Sequence, residues 1–144
     1  MSRRQVEHAR RLGFSSIAGD SIPVTGAKSG EWSILETRGG EGSASLEFAR
    51  SLAQPVCQLL AHAPIDALVV FGGDTANAIV EALGAPPLHL LGEVMEGVPI
   101  SQIEANRLGP DIGRRKRELY MVTKAGSFGT PELLASIRDS LGQR

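Results

Sequence analysis

Ala67-Leu68-Val69-Val70-Phe71 is an unbroken apolar run, and Gly72-Gly73-Asp74-Thr75 follows it at once. A strand without a polar face must be buried on both sides, which is the condition of a strand inside a parallel sheet covered by helices. The two glycines permit a tight change of direction. Asp74 or Thr75 then offers a capping oxygen for a helix that runs to Leu83 and stops at Gly84. The same order returns near the end of the chain. An apolar strand over residues 119–123 leads into Lys124-Ala125-Gly126-Ser127-Phe128-Gly129, and Thr130-Pro131-Glu132 supplies a cap, a first-turn proline and an early acid for a helix to Leu141. Strand, glycine turn and helix, twice over, predict one α/β domain. Its expected form is an open, mostly parallel sheet with helices on both faces and a ligand crevice at the carboxyl ends of the strands.

The remaining segments fit around this frame. Val6, Ala9 and Leu12 have helical spacing within residues 5–12, with Gly13 as the C-cap. Because the chain opens almost directly in this helix, the expectation is a domain spanning residues 1–144 and truncated at its N-terminus. Short strands are expected at residues 16–18 and 32–37, and a helix at residues 43–63 that Pro55 kinks or splits. Residues 88–91 read as a short strand and residues 92–99 as a loop. No repeat or polar linker divides the chain.

Composition narrows the function classes. Seventeen glycines against four phenylalanines, one tryptophan and one tyrosine favour an α/β chain over an aromatic-packed sandwich. Fifteen basic and sixteen acidic residues give a net charge of -1, so no global field draws the protein to nucleic acid or an anionic membrane. Cys57 is the single cysteine, no apolar run approaches the ~20 residues of a membrane span, and residues 1–11 lack a signal-peptide core. The expected address is cytoplasmic, with no nucleic-acid or membrane partner.

Both glycine turns stand where a strand hands over to a helix. There, backbone N–H groups converge with the positive end of the helix dipole, and glycine lets a phosphate approach without a Cβ in the way. Gly72, Gly73, Asp74 and Thr75 form one candidate group, and Lys124, Gly126, Ser127, Phe128 and Gly129 the other. Lys124 would add a mobile positive charge, and Asp74 would cap the helix or hold a phosphate-bound Mg2+ through water. The alternative for either turn is tight αβ packing with no ligand. No G-x-x-x-x-G-K-[ST] sequence occurs.

Other motifs carry less. Gly40-Glu41-Gly42-Ser43-Ala44-Ser45 imitates a dinucleotide turn but lacks its third glycine and puts Glu41 where a pyrophosphate would lie, so it reads as a surface loop. Arg114-Arg115-Lys116-Arg117 reads as a solvated loop, with no aromatic residues interleaved for base stacking. His8, His62 and His89 are too scattered for a zinc motif, and Cys57 reads as an apolar filler. No catalytic residue is assigned.

On Gly72 to Ala76 with Leu83-Gly84, Gly92-Glu93-Val94 with Gly97-Val98-Pro99, and Thr123 to Gly129, the chain resembles the C-terminal nucleotide-binding domain of four-carbon acid sugar kinases. The resemblance covers residues 66–141 well, residues 4–14 as the helix after the family's interdomain turn, and residues 15–64 in outline. It implies ATP with Mg2+ at Gly73 and its neighbours and at Gly126, Ser127, Phe128 and Gly129. It also implies a separate N-terminal sugar-binding domain as partner and phosphorylation of a tetronate-type sugar acid by the whole enzyme. Family members have also been labelled Hrp-dependent type III effectors. Two functions therefore stay open: the ATP-binding part of a sugar-acid kinase, inactive alone, and a stand-alone nucleotide-binding or effector-like module without catalysis. Homo-oligomerisation is open in either case.

Overall fold

A computed structural model describes residues 3–18, 31–36, 46–104, 108, 118–126 and 129–143. Helix α1 (Arg3–Arg11) leads into β1 (Ser15–Ala18), which pairs in parallel with β2 (Ser33–Glu36) in a two-stranded sheet. Then follow α2 (Leu46–His62), β3 (Ala67–Phe71), α3 (Gly73–Ala82), β4 (His89–Met95), β5 (Val98–Ile103), β6 (Leu119–Lys124) and α4 (Leu133–Gly142).

The main sheet has the order β3-β6-β5-β4. Strands β3 and β6 run parallel, while β5 pairs antiparallel with both β6 and β4. The α/β reading holds, and its parallel part is the pair that carries the two glycine turns. The antiparallel part comes from the segment expected to be a loop. Residues 92–99 instead complete β4 and begin β5, joined at Glu96-Gly97, where Gly97 has φ 75°. Gly92 and Pro99 read as breakers, yet neither breaks the hairpin. The β5–β6 ladder begins at Ile100, so the missing N–H of Pro99 falls before it.

Alternation of side chains sorts the core into two layers. Val70, Ile103, Leu119 and Met121 point to one face and pack against Ala49, Ala53, Val56 and Leu60 of α2 and Ala76 and Ile79 of α3. Val98, Ile100 and Val122 point to the other, against Ala9 of α1 and Leu133, Leu134 and Ile137 of α4. Helices thus cover both faces. Each fully buried aliphatic side chain contributes about 1.5–3 kcal/mol relative to exposure, which is why two layers hold a chain with so few aromatic residues.

Helix ends refine the expectations. Backbone bonds from Phe14 N–H to Ala9 O (3.1 Å) and from Ala85 N–H to Val80 O (2.9 Å) close α1 and α3 past Gly13 and Gly84, as the sequence indicates. Helix α2 continues through Pro55 as one element and is not split. Neither Asp74 nor Thr75 caps α3: Gly72 is the cap residue, with no side-chain cap bond, and Asp74 lies in the first turn. Helix α4 starts at Leu133 with Glu132 in the cap position, whereas Thr130 accepts the Leu133 N–H on its carbonyl from one turn earlier.

Candidate functional site at the paired glycine turns

Phe71 and Lys124 are register partners at the carboxyl ends of β3 and β6. One residue further on, Gly72 N–H donates to Lys124 O at 2.9 Å. The seam between the parallel strands therefore extends into the turns, and the two turns leave the sheet side by side. Gly72 has φ 107°, a region that a side chain at this point would oppose, and this lets the chain turn directly into α3. Gly73, Asp74 and Thr75 then form the first turn of α3, where unpaired N–H groups and the helix dipole favour an anion. Gly73 and Asp74 are exposed.

Gly126 and Gly129 belong to the second turn, with φ 58° and 110°. Ser127 and Phe128 lie outside the described residues, as do the segments 40–45 and 114–117. Gly129 is confined: a Cβ there would lie 3.1 Å from Leu133 Cδ2, 3.2 Å from Lys124 Cε and 3.3 Å from Gln5 Nε2.

Lys124 is not the mobile cation that the sequence suggests. It is 2% exposed, and its ammonium donates to Gly126 O at 2.9 Å and Ala125 O at 3.3 Å. Nζ also stands 5.2 Å from the centre of the Phe71 ring, where the ring face attracts a cation. Burial pulls its pKa below the usual lysine value of 10.5. In this conformation the side chain holds the turn from within.

Two participants carry no sequence signal of their own. Phe71 looks like one more apolar strand residue, and Gln5 looks like a polar position in a basic helix. Gln5 is 0% exposed, and its amide donates to Thr130 O (3.3 Å) and Gly129 O (3.4 Å), across more than 120 residues of chain. Only the packing of α1 on the second turn reveals it. Beyond the turn, Glu132 has its carboxyl pulled below the usual carboxylate range, chiefly by its own backbone N–H and then by the Thr130 hydroxyl.

A groove of 260 Å³ between α1 and the start of α4 is lined by Arg4, Glu7, His8, Arg11, Pro131 and Glu132. Its two arginines are accompanied by two glutamates, so side-chain charge gives it no strong positive field. Among the described residues, no three His, Cys, Asp or Glu side chains are grouped to hold a metal ion. Asp74 is a lone carboxylate at the first turn. That donor set suits an Mg2+ held mainly by phosphates and water, not one caged by protein. No described helix is long and apolar enough to cross a membrane.

The profile of the nucleotide-binding C-terminal domain matches residues 24–134. D-threonate kinase of Bordetella bronchiseptica is 33% identical over 96 residues, which are 67% of this chain and 22% of that protein. A Bordetella bronchiseptica crystal structure, described as a domain of unknown function with bound citrate and as a domain-swapped dimer, superposes with a TM-score of 0.74 at 25% identity. That superposition covers 99% of this chain and 38% of the other. A Salmonella typhimurium protein provisionally described as a tRNA synthase shares the fold at a TM-score of 0.60 and 16% identity, over 96% of this chain and 37% of its own. The chain thus spans well under half of the relatives it matches.

Proposed function

Because the chain belongs to the family of nucleotide-binding C-terminal domains, we propose that it supplies the ATP side of a kinase acting on four-carbon sugar acids. The likeness to D-threonate kinase supports the acceptor class, and the paired turns support the donor site. One observation carries the reading: the 2.9 Å bond from Gly72 N–H to Lys124 O brings two glycine turns together at the carboxyl ends of adjacent parallel strands.

In this reading the amides at Gly73, Gly126 and Gly129, with those of Ser127 and Phe128, take the phosphate oxygens, while the Gly72 N–H stays on Lys124 O and joins the two turns. The N-terminal turn of α3 faces the most negative part of the nucleotide. Asp74 would hold Mg2+ through its water shell, and the metal would neutralise charge on the phosphates when bound. Phosphoryl transfer depends mainly on holding donor and acceptor in line within a site that excludes water. A sugar-carboxylate clamp and a base for the attacking hydroxyl are assigned to a second domain of the same enzyme, as the 22% coverage of D-threonate kinase invites. Dimerisation of the kind described for the Bordetella structure belongs to the same proposal.

The test is to incubate the chain with ATP, Mg2+ and a panel of four-carbon sugar acids, with and without a sugar-binding half from a relative. Transfer only in the combined sample supports the reading. Robust transfer by the chain alone contradicts the division of labour. ATP binding with no transfer in any combination favours the module without catalysis.

A further inference from the structure

We propose that Gln5 is a positioning residue for nucleotide binding, a brace by which α1 sets the shape of the second glycine turn; the inference rests on the ATP reading above.

Three observations converge on it. Gln5 is fully buried, and its amide donates to two successive carbonyls of the turn, Gly129 O and Thr130 O. At the other end of the turn, the Lys124 ammonium donates to Ala125 O and Gly126 O. Between them, Gly129 has its Cβ side closed off by Gln5, Lys124 and Leu133 together, so the backbone is wedged against both donors.

The chemistry explains why such a brace matters. A phosphate-binding turn works through N–H groups that point outward, which requires its carbonyls to point elsewhere. A carbonyl swung toward the ligand presents negative charge to an anion. In this turn four carbonyls are drawn inward by two buried donors, one from α1 and one from β6. Ala125 O and Gly129 O share trans peptide planes with the N–H groups of Gly126 and Thr130, so holding these two carbonyls inward aims those two amides outward before the nucleotide arrives, and binding is spared the cost of ordering them. Gln5 does not need to touch the nucleotide to act in this way.

The consequence is that α1, remote in sequence, controls the turn. Gln5→Met keeps the length and apolar stem of the side chain and removes both donors. The expected result is an ATP·Mg2+ affinity about tenfold weaker than the parent's, about 1.4 kcal/mol, with faster amide hydrogen exchange at Gly126 and Thr130 in the ATP·Mg2+ complex and unchanged exchange in α2 and α3. Ile137→Val, which loosens the same core layer without reaching the turn, is expected to leave ATP affinity at the parent value. In the parent, the Gln5 side-chain amide protons should exchange slowly with solvent and shift when ATP·Mg2+ is added, a readout that needs no variant to fold.

Unchanged ATP affinity in folded Gln5→Met, or Gln5 amide protons exchanging at solvent rates in the parent, overturns the brace. A parent that shows no ATP-dependent shift at any amide overturns the nucleotide reading itself. The two failures are distinct, because in the first the parent still binds ATP.

Discussion

At the scale of single residues, the two glycines of the second turn are unequal. Gly126 has φ 58°, within the small left-handed region that other residues enter at moderate cost, and a Cβ there meets nothing within 4 Å. Gly129 has φ 110° and three atoms within 3.3 Å of its Cβ position. Gly126→Ala is expected to cost about 1 kcal/mol and Gly129→Ala about 2–3 kcal/mol. Urea unfolding would compare them, and equal losses would contradict the packing described. Lys124 gives a second expectation. Its folded pKa lies below 10.5, so as the pH rises between the two values the native state releases the proton first. Stability from this group therefore increases with alkaline pH until both states are neutral. Subtracting the profile of Lys124→Met from that of the parent isolates the effect, and a flat difference would contradict it. The glycine positions were legible in the sequence because positive φ and strand-to-helix turns leave a mark on residue type. The role of Lys124 was not, since whether an ammonium points outward or back onto its own turn is decided by the packing of Phe71, Gln5 and Gly129 around it.

At the scale of elements, the strands and helices with strong periodicity were readable and their ends less so. Ala67–Phe71 is found within the bounds its apolar run sets, but at the edge of the described sheet and with only Val70 buried, not as an inner strand buried on both faces; α4 follows the second turn as expected. The β4–β5 hairpin was hidden by local chemistry, because Gly92 and Pro99 are turn formers whose effect here is overruled by pairing with β6 and burial of Val98 and Ile100. β4 is also an edge strand, with Leu90 68% exposed and register shifts at Leu90/Gly92 and Glu93/Met95. Such bulges blunt an edge against pairing with another chain. In α2 the sequence suggested a kink or a split at Pro55; the helix is not split, and the burial of Ala49, Ala53, Val56 and Leu60 along one side holds it together across the proline. The proline removes one backbone bond, so Pro55→Ala is expected to stabilise the chain by about 1 kcal/mol, the net worth of that bond. A lower denaturation midpoint in the variant would show that the proline shape is required by the packing.

At the scale of the whole molecule, the family, the α/β class and the covering of both sheet faces were accessible from two motifs and their order. What the motifs could not provide was the convergence of the turns, which depends on β3 and β6 being neighbours although α3 and the β4–β5 hairpin lie between them in the chain. That adjacency is the basis of the proposed function, in which one nucleotide spans both turns and a second domain completes the chemistry. Tested apart from a second domain, the chain is expected to bind ATP weakly, because the proposed site is then open to water on one side. The most direct test is a titration of ATP·Mg2+ into isotope-labelled chain, following backbone amides by nuclear magnetic resonance. The account predicts that the amides of Gly73, Asp74, Gly126 and Gly129 shift most and fit a single dissociation constant. Shifts centred on the groove between α1 and α4, or on the leucines of the β4 edge, with both glycine turns unmoved, would contradict it.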